Sequence, residues 1–220
     1  MRNWQKFLSH FWEINIKKYH SELNGELFVN LEFGKKVLHT SEANYSYQKL
    51  HKVLSNAIES VIEKLPESGH VLNLGLGGGS SVVILREELG CMGDITSIEH
   101  DEVIVEIAKT EFNIDRFKNH EIVISDALEY VELHQEKKYD LIICDLFKDK
   151  KVPEKFKTES FFKQLVSMLL PNGYLILNYV KQENEEAFFE AFIQKLNDGF
   201  EYYVLNPVKG NYVLVLGVGW

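Results

Sequence analysis

Glycines 75, 77, 78 and 79 stand in the run HVLNLGLGGGSS, His70 to Ser81, between the apolar stretches Val71–Leu74 and Val82–Leu85. An apolar run, a glycine cluster and a second apolar run spell a buried strand, a tight turn and the first turn of a helix. Glycine in such a turn takes positive φ and lets a ligand approach the backbone without meeting a Cβ. The N–H groups of the following helix then suit a polar, electron-rich group. Open α/β sheets hold nucleotide-type cofactors in this way, at the carboxyl edge of their first strand. Glu99 supplies the partner chemistry. It ends the strand pattern Asp94-Ile95-Thr96-Ser97-Ile98 and precedes the helical spacing Val103, Ile104, Ile107, Ala108. An acid roughly twenty residues beyond the glycines accepts hydrogen bonds from ribose hydroxyls in this architecture. A solvated acid at a strand end is the plain alternative. Beside the glycine turn, the ribose role is the expectation.

Two more acids fall where apolar runs end. Asp126 follows Ile122-Val123-Ile124-Ser125, and Asp145 follows Leu141-Ile142-Ile143-Cys144. Asp is a favoured N-cap, so Asp126 reads as the cap of a helix opening at Ala127, as a cofactor contact, or as both. Asp145 reads as an exposed loop acid or as part of the site, where its strand leaves the sheet. The eight histidines show no metal-ligand spacing, and no nucleophile beside a base is legible, so neither a metal nor a covalent intermediate is expected.

Positioning these residues takes an alternation of strands and helices. Strands are predicted at 70–75, 94–99, 120–125, 139–144, 173–180, 200–206 and 211–218, and helices near 80–89, 101–110, 126–133, 158–170 and 183–196. The near-continuous apolar runs suit strands covered on both faces, and the alternation implies a mainly parallel sheet between helices. The last two strands flank only Pro207-Val208-Lys209-Gly210 and must be antiparallel. Ahead of this body, Trp4, Phe7, Leu8, Phe11, Trp12 and Ile14 repeat at helical spacing and predict a short helix within 4–19. Glu26–Phe33 and Lys36–His39 around Gly34-Lys35 read as a β-hairpin. A long helical pattern from Tyr45 to Leu65 stops at Pro66. Residues 1–44 thus form an N-terminal helix and hairpin, and 45–220 the main domain. The aromatic N-terminal segment is expected to serve either as a homodimer contact or as a lid on the core.

With 220 residues, 45% hydrophobic, the chain can bury a sizeable core. Its net charge of −9, from 24 basic and 33 acidic residues, is the wrong sign for a nucleic-acid partner. Cys91 and Cys144 lack metal or disulfide spacing and read as packing residues in a reducing compartment. No signal pattern and no run of about 20 apolar residues is present. A cytoplasmic protein without membrane partners is the expectation.

A parallel sheet closed by an antiparallel hairpin is the layout of the S-adenosylmethionine-dependent methyltransferase fold. From about Gly34 to Val180 the chain resembles the spermidine synthase (polyamine aminopropyltransferase) family within it. GKKVLHTSEANYSYQKLHKVL looks like that family's leading hairpin and helix, VLNLGLGGG its glycine loop, and SIEHDEVIVEIAK its ribose-binding acid and helix. ISDALEYV is similar to the strand-end acid that meets the adenine amino group, and YDLIICDLF with VPEKFKTESFF to the substrate loop and next helix. The resemblance implies a sulfonium nucleoside, S-adenosylmethionine or its decarboxylated form, over Gly75, Gly77, Gly78 and Gly79. It places the ribose on Glu99 with His100 nearby, and the base on Asp126 and the Ala127 N–H. It puts Asp145 beside the transferred group. Tyr47 and Gln48 cover the sulfur side, unless they belong to a packing face.

The departures from that family bear on the reaction. Its glycine loop carries an acid where this chain has Gly78. Its acid pair after the fourth strand is reduced here to Asp145, because Lys148 takes the second place and Asp149 falls one residue late. A cationic polyamine needs carboxylates to bind and deprotonate it, and a desolvated lysine repels it. The resemblance therefore implies methyl transfer to a small-molecule acceptor. Aminopropyl transfer with Asp145 or Asp149 as base is the second possibility, and a non-catalytic nucleoside-binding scaffold the third. Lys148, Lys150, Lys151, Lys155 and Lys157 form a basic loop, either a solvated face or a site for an anionic acceptor.

Overall fold

The chain opens with a helix that stops early. In the computed structural model, which describes residues 3–40, 47–147, 151–180, 201–208 and 211–217, α1 spans Asn3–Leu8. The rest of the segment expected as helix becomes strand β1 (Ile14–Ser21). Helical apolar spacing gives out after Ile14, and Asn15, Lys17 and Lys18 leave β1 to be held by pairing rather than by an apolar stripe. Its partner β2 (Gly25–Glu32) pairs in turn with β3 (Lys35–Thr40), so the expected hairpin is two strands of a three-stranded antiparallel sheet. The β2–β3 turn falls on Phe33-Gly34, with φ of 48° and 78°. Paired positive φ values suit a tight hairpin. Trp4, Phe7, Phe11 and Trp12 are each more than half exposed, so α1 does not close over the core.

Helix α2 (Tyr47–Ile62) lays Val53, Ala57, Ile58 and Val61 into the body. There β4 (Val71–Leu74), β5 (Ile95–Glu99), β6 (His120–Ile124), β7 (Tyr139–Cys144), β8 (Leu169–Val180), β9 (Glu201–Val208) and β10 (Asn211–Gly217) form one sheet, ordered β6-β5-β4-β7-β8-β10-β9. Pairing is parallel from β6 to β8, and β10 runs antiparallel between β8 and β9. This is the Rossmann-like α/β arrangement with a closing antiparallel hairpin. Alternate strand residues feed two cores. Ile143 and Val215 join α2, while Ile142 and Leu214 join helices α5 (Ala127–Leu133) and α6 (Glu159–Ser167). The helix expected at 183–196 lies outside the described residues.

One element differs from expectation near the glycines. The helix expected over 80–89 is a single turn, α3 (Ser80–Val83), that loosens into a π turn over Ile84–Glu88. The run is short and changes its hydrogen-bond spacing after one turn, so backbone geometry as well as helix charge would serve a ligand there. Helix α4 (Glu102–Phe112) carries the N-terminal sheet, with Leu27 and Val29 against Ile107. Glu111 clamps that joint by accepting from Lys36 at 2.8 Å, Tyr19 at 2.8 Å and Lys17 at 3.2 Å. The Lys36 ammonium first, with the other two donors, holds its carboxyl down at about 2 despite some burial.

Gly75 leaves no room for a side chain in its turn. It sits at φ 92°, and a Cβ there would fall on the Asp145 carbonyl. Gly75→Ala is expected to destabilise the protein by about 3 kcal/mol, from left-handed strain plus a backbone clash. A chemical-denaturation midpoint matching the parent would refute this reading of the turn.

Candidate active site

Glu99, Asp126 and Asp145 reach one edge of the sheet, where β4 to β7 end. The parallel β4–β7 pairing sets Leu74 beside Cys144, and the Asp145 N–H donates to the Leu74 carbonyl at 2.9 Å. That places Asp145 against the glycine turn. A cavity of about 670 Å³ opens there, lined by Gly75, Gly77, Glu99, Asp126, Asp145 and residues of the N-terminal sheet. Its volume falls in the range for small-molecule and cofactor sites.

Glu99 is held entirely by backbone. Oε2 accepts from Leu76 N and Gly77 N, both at 3.2 Å, and Oε1 from His100 N at 2.8 Å and Asp101 N at 3.1 Å. Burial pushes its pKa up, against those four N–H groups. Each oxygen already accepts two N–H groups, and the two on Oε2 are long at 3.2 Å, so a hydroxyl donor would share or displace these bonds. A Cβ at Gly77 would meet nothing within 4 Å, so the turn offers a ligand bare backbone. His100 is exposed, with Nδ1 3.9 Å from Asp126.

Asp126 caps α5, accepting from Leu128 N at 3.0 Å and Glu129 N at 3.4 Å through Oδ1. Its Oδ2 takes the Lys155 ammonium from the loop before α6. Burial raises its pKa, and Lys155 with the two N–H groups overcomes this and lowers it. Ala127 is buried beneath it. Lys157 pairs with Glu154 at 2.8 Å, so both Lys155 and Lys157 of the expected basic loop are matched by carboxylates. Lys148, Asp149 and Lys150 lie outside the described residues, as do the side chains of Tyr47 and Gln48.

Asp145 is recessed in the cavity wall, and burial pushes its pKa up to about 6 even though Asn178 donates to it. Sequence reading missed Asn178. The parallel register Cys144↔Leu177 brings it level with Asp145, and Asn178 Nδ2 donates to Asp145 Oδ1 at 2.8 Å. A lone polar residue ending the apolar run Tyr174-Leu175-Ile176-Leu177 was the available signal. At Gly78, where the resembling family has an acid, the nearest neighbour of a Cβ would be the Phe112 ring at 3.5 Å, an apolar surround. Cys144 is buried with its thiol pushed up to about 12, which leaves it inert.

The N-terminal sheet reaches this cavity through the β1–β2 turn. Buried Asp101, the N-cap of α4, accepts from the Ser21 hydroxyl, from Asn24 Nδ2 at 2.6 Å and from Val103 N at 2.9 Å. Leu23 and Asn24 thereby stand over the cavity near Glu99. On the same sheet Glu13, Glu32 and His39 bring ligand-type atoms within 4.8 Å of one another, a grouping the sequence spacing did not show. Glu32 meets His39 at 2.8 Å and Glu13 accepts from Asn30, so both carboxylates already have protein partners. Among the described residues no helix is long and apolar enough to cross a membrane.

A doubly covered sheet with a glycine turn and acids along one edge defines a Rossmann-like methyltransferase fold. The chain belongs to the methyltransferase domain family, whose profile matches residues 65–213. It is 26% identical over 137 residues to the polyamine aminopropyltransferase of Chromobacterium violaceum, a match covering 62% of this chain and 51% of that protein. The chain thus spans about half the length of this curated relative. Among solved structures it resembles human methyltransferase-like protein 13 in complex with SAH, at TM-score 0.63 and 24% identity over 76% of this chain and 81% of that one. It also resembles a probable spermidine synthase from Corynebacterium glutamicum, at TM-score 0.65 and 17% identity over 92% and 76% of the two chains.

Proposed function

We propose that the protein is an S-adenosylmethionine-dependent methyltransferase of the spermidine synthase-like group, acting on the amine nitrogen of a small molecule. Asp145 carries this reading, as a recessed carboxylate with a pKa of about 6 beside the glycine turn. Glu99 would hold the ribose, Asp126 and the Ala127 N–H the adenine, and Gly75 and Gly77 would pass the chain under the sulfonium without side chains. When bound, that sulfonium supplies an electrophilic methyl group. Asp145 orients the acceptor N–H toward itself and takes up the proton the amine must lose. The cavity walls fix the acceptor in line, which removes much of the entropic barrier.

Gly78 against Phe112 favours methyl over aminopropyl transfer, because no carboxylate stands there to hold a second ammonium. Likeness to the Chromobacterium enzyme keeps aminopropyl transfer as the second reading. Calorimetric titration with S-adenosylmethionine, its decarboxylated form, S-adenosylhomocysteine and methylthioadenosine separates them. The proposal expects tight binding of S-adenosylmethionine and S-adenosylhomocysteine. Tight binding of the decarboxylated and truncated nucleosides alone would replace it with aminopropyl transfer, and binding of none would leave a scaffold.

A further inference from the structure

We infer that Asn178 restricts the acceptor to primary amines and the reaction to one methyl transfer per nitrogen. This rests on the amine reading above. Asn178 is 7% exposed, yet it lines the cavity. Its Nδ2 is committed to Asp145 Oδ1 at 2.8 Å, which fixes the orientation of the carboxamide and turns Oδ1 away from the acid. Among the described residues that buried Oδ1 has no hydrogen-bond partner. Buried carbonyl oxygens in folded proteins nearly always have one, so this orphan, on a residue that lines the cavity, asks for a donor from the ligand.

Asp145 offers the matching acceptor. Asn178 is the only side chain among the described residues that donates to it, and it uses Oδ1, which leaves Oδ2 for the acceptor. The carboxamide is hydrogen-bonded to that carboxylate, and an acceptor on each suits one nucleophile in particular. A neutral primary amine has two N–H groups and one lone pair. With one N–H on Asp145 and the other on Asn178, the lone pair is left to face the methyl carbon. The nitrogen–carbon bond then forms as the carbon–sulfur bond breaks, and that electron pair stays on sulfur. The Asp145 carboxylate takes the proton shed by the new ammonium and passes it to solvent. The product amine keeps a single N–H. To react again it must turn its new methyl toward one of the two buried acceptors, which loses a hydrogen bond and leaves an oxygen facing carbon.

That loss should make the second transfer about 10- to 100-fold slower than the first. The test uses the intact protein with labelled S-adenosylmethionine, and n-butylamine and N-methylbutylamine as probes. Products are counted by mass spectrometry, and the Asn178 side-chain amide is followed by NMR in protein loaded with S-adenosylhomocysteine. Butylamine is expected to shift that amide signal and to be methylated once. Asn178→Ala should bring the two rates together, while Asn178→Asp, which keeps an acceptor there, should preserve their ratio. Melting temperatures of both variants identify any that fail to fold. Equal rates for the two probes in the parent overturn the role of Asn178 and leave the amine reading standing. An unchanged ratio in a folded Asn178→Ala does the same. If neither amine is methylated and neither moves the signal, the amine reading falls and this inference falls with it.

Discussion

Asp145→Asn is expected to cut amine methylation by about 10²- to 10⁴-fold, the usual worth of a positioned acid–base group. Affinity for S-adenosylhomocysteine should stay within a few-fold, since Glu99 and Asp126 would still grip the nucleoside. In the parent, turnover should fall as pH drops through about 6, where the carboxylate takes up a proton and can no longer accept one. The stability effect has the opposite sign. A folded pKa raised from 3.8 to about 6 means that the protonated carboxyl is favoured in the folded state. That advantage is present below about pH 4 and lost as pH rises through 6. At neutral pH the ionised, recessed acid therefore destabilises the fold, and the neutral amide should recover on the order of 1–3 kcal/mol. Denaturant unfolding at pH 7.5 beside initial rates reads both effects. A variant that loses activity and stability together would mark Asp145 as merely structural.

Glu99→Gln is expected to weaken S-adenosylhomocysteine binding by about 100-fold, from lost charge-assisted bonds to two hydroxyls. The amide also turns an N–H₂ toward backbone N–H groups that had been donating to Oε1 or Oε2, so the glycine turn itself is disturbed. Calorimetry measures the change. An affinity equal to the parent's would remove Glu99 from the sugar site.

Why so much of this edge was legible from sequence is visible in its residues. Leu141–Cys144 is buried on both faces and reads as an unbroken apolar run, so Asp145 just after it marks where that strand meets the cavity. Glu99 was marked by its distance from the glycines, and Asp126 by its place between an apolar run and a helical pattern. Asn178 escaped because β8 carries on to Val180, so the polar residue falls inside the strand rather than at its end, and its meaning depends on the β7–β8 register. β1 was misread because a strand held by pairing and by Glu111 carries little apolar pattern of its own. The π turn after Val83 keeps helical spacing in its apolar residues and differs only in its hydrogen bonds, which spacing does not record.

Asp101 ties the β1–β2 turn to the loop that presents Glu99, its carboxylate accepting from Ser21 and Asn24 and its backbone N–H donating to Glu99. The amino-terminal sheet is therefore not an independent ornament on a nucleotide-binding body. On the proposed ribose role of Glu99, a change that loosens this grip is expected to speed nucleoside release, read as a faster off-rate of S-adenosylhomocysteine.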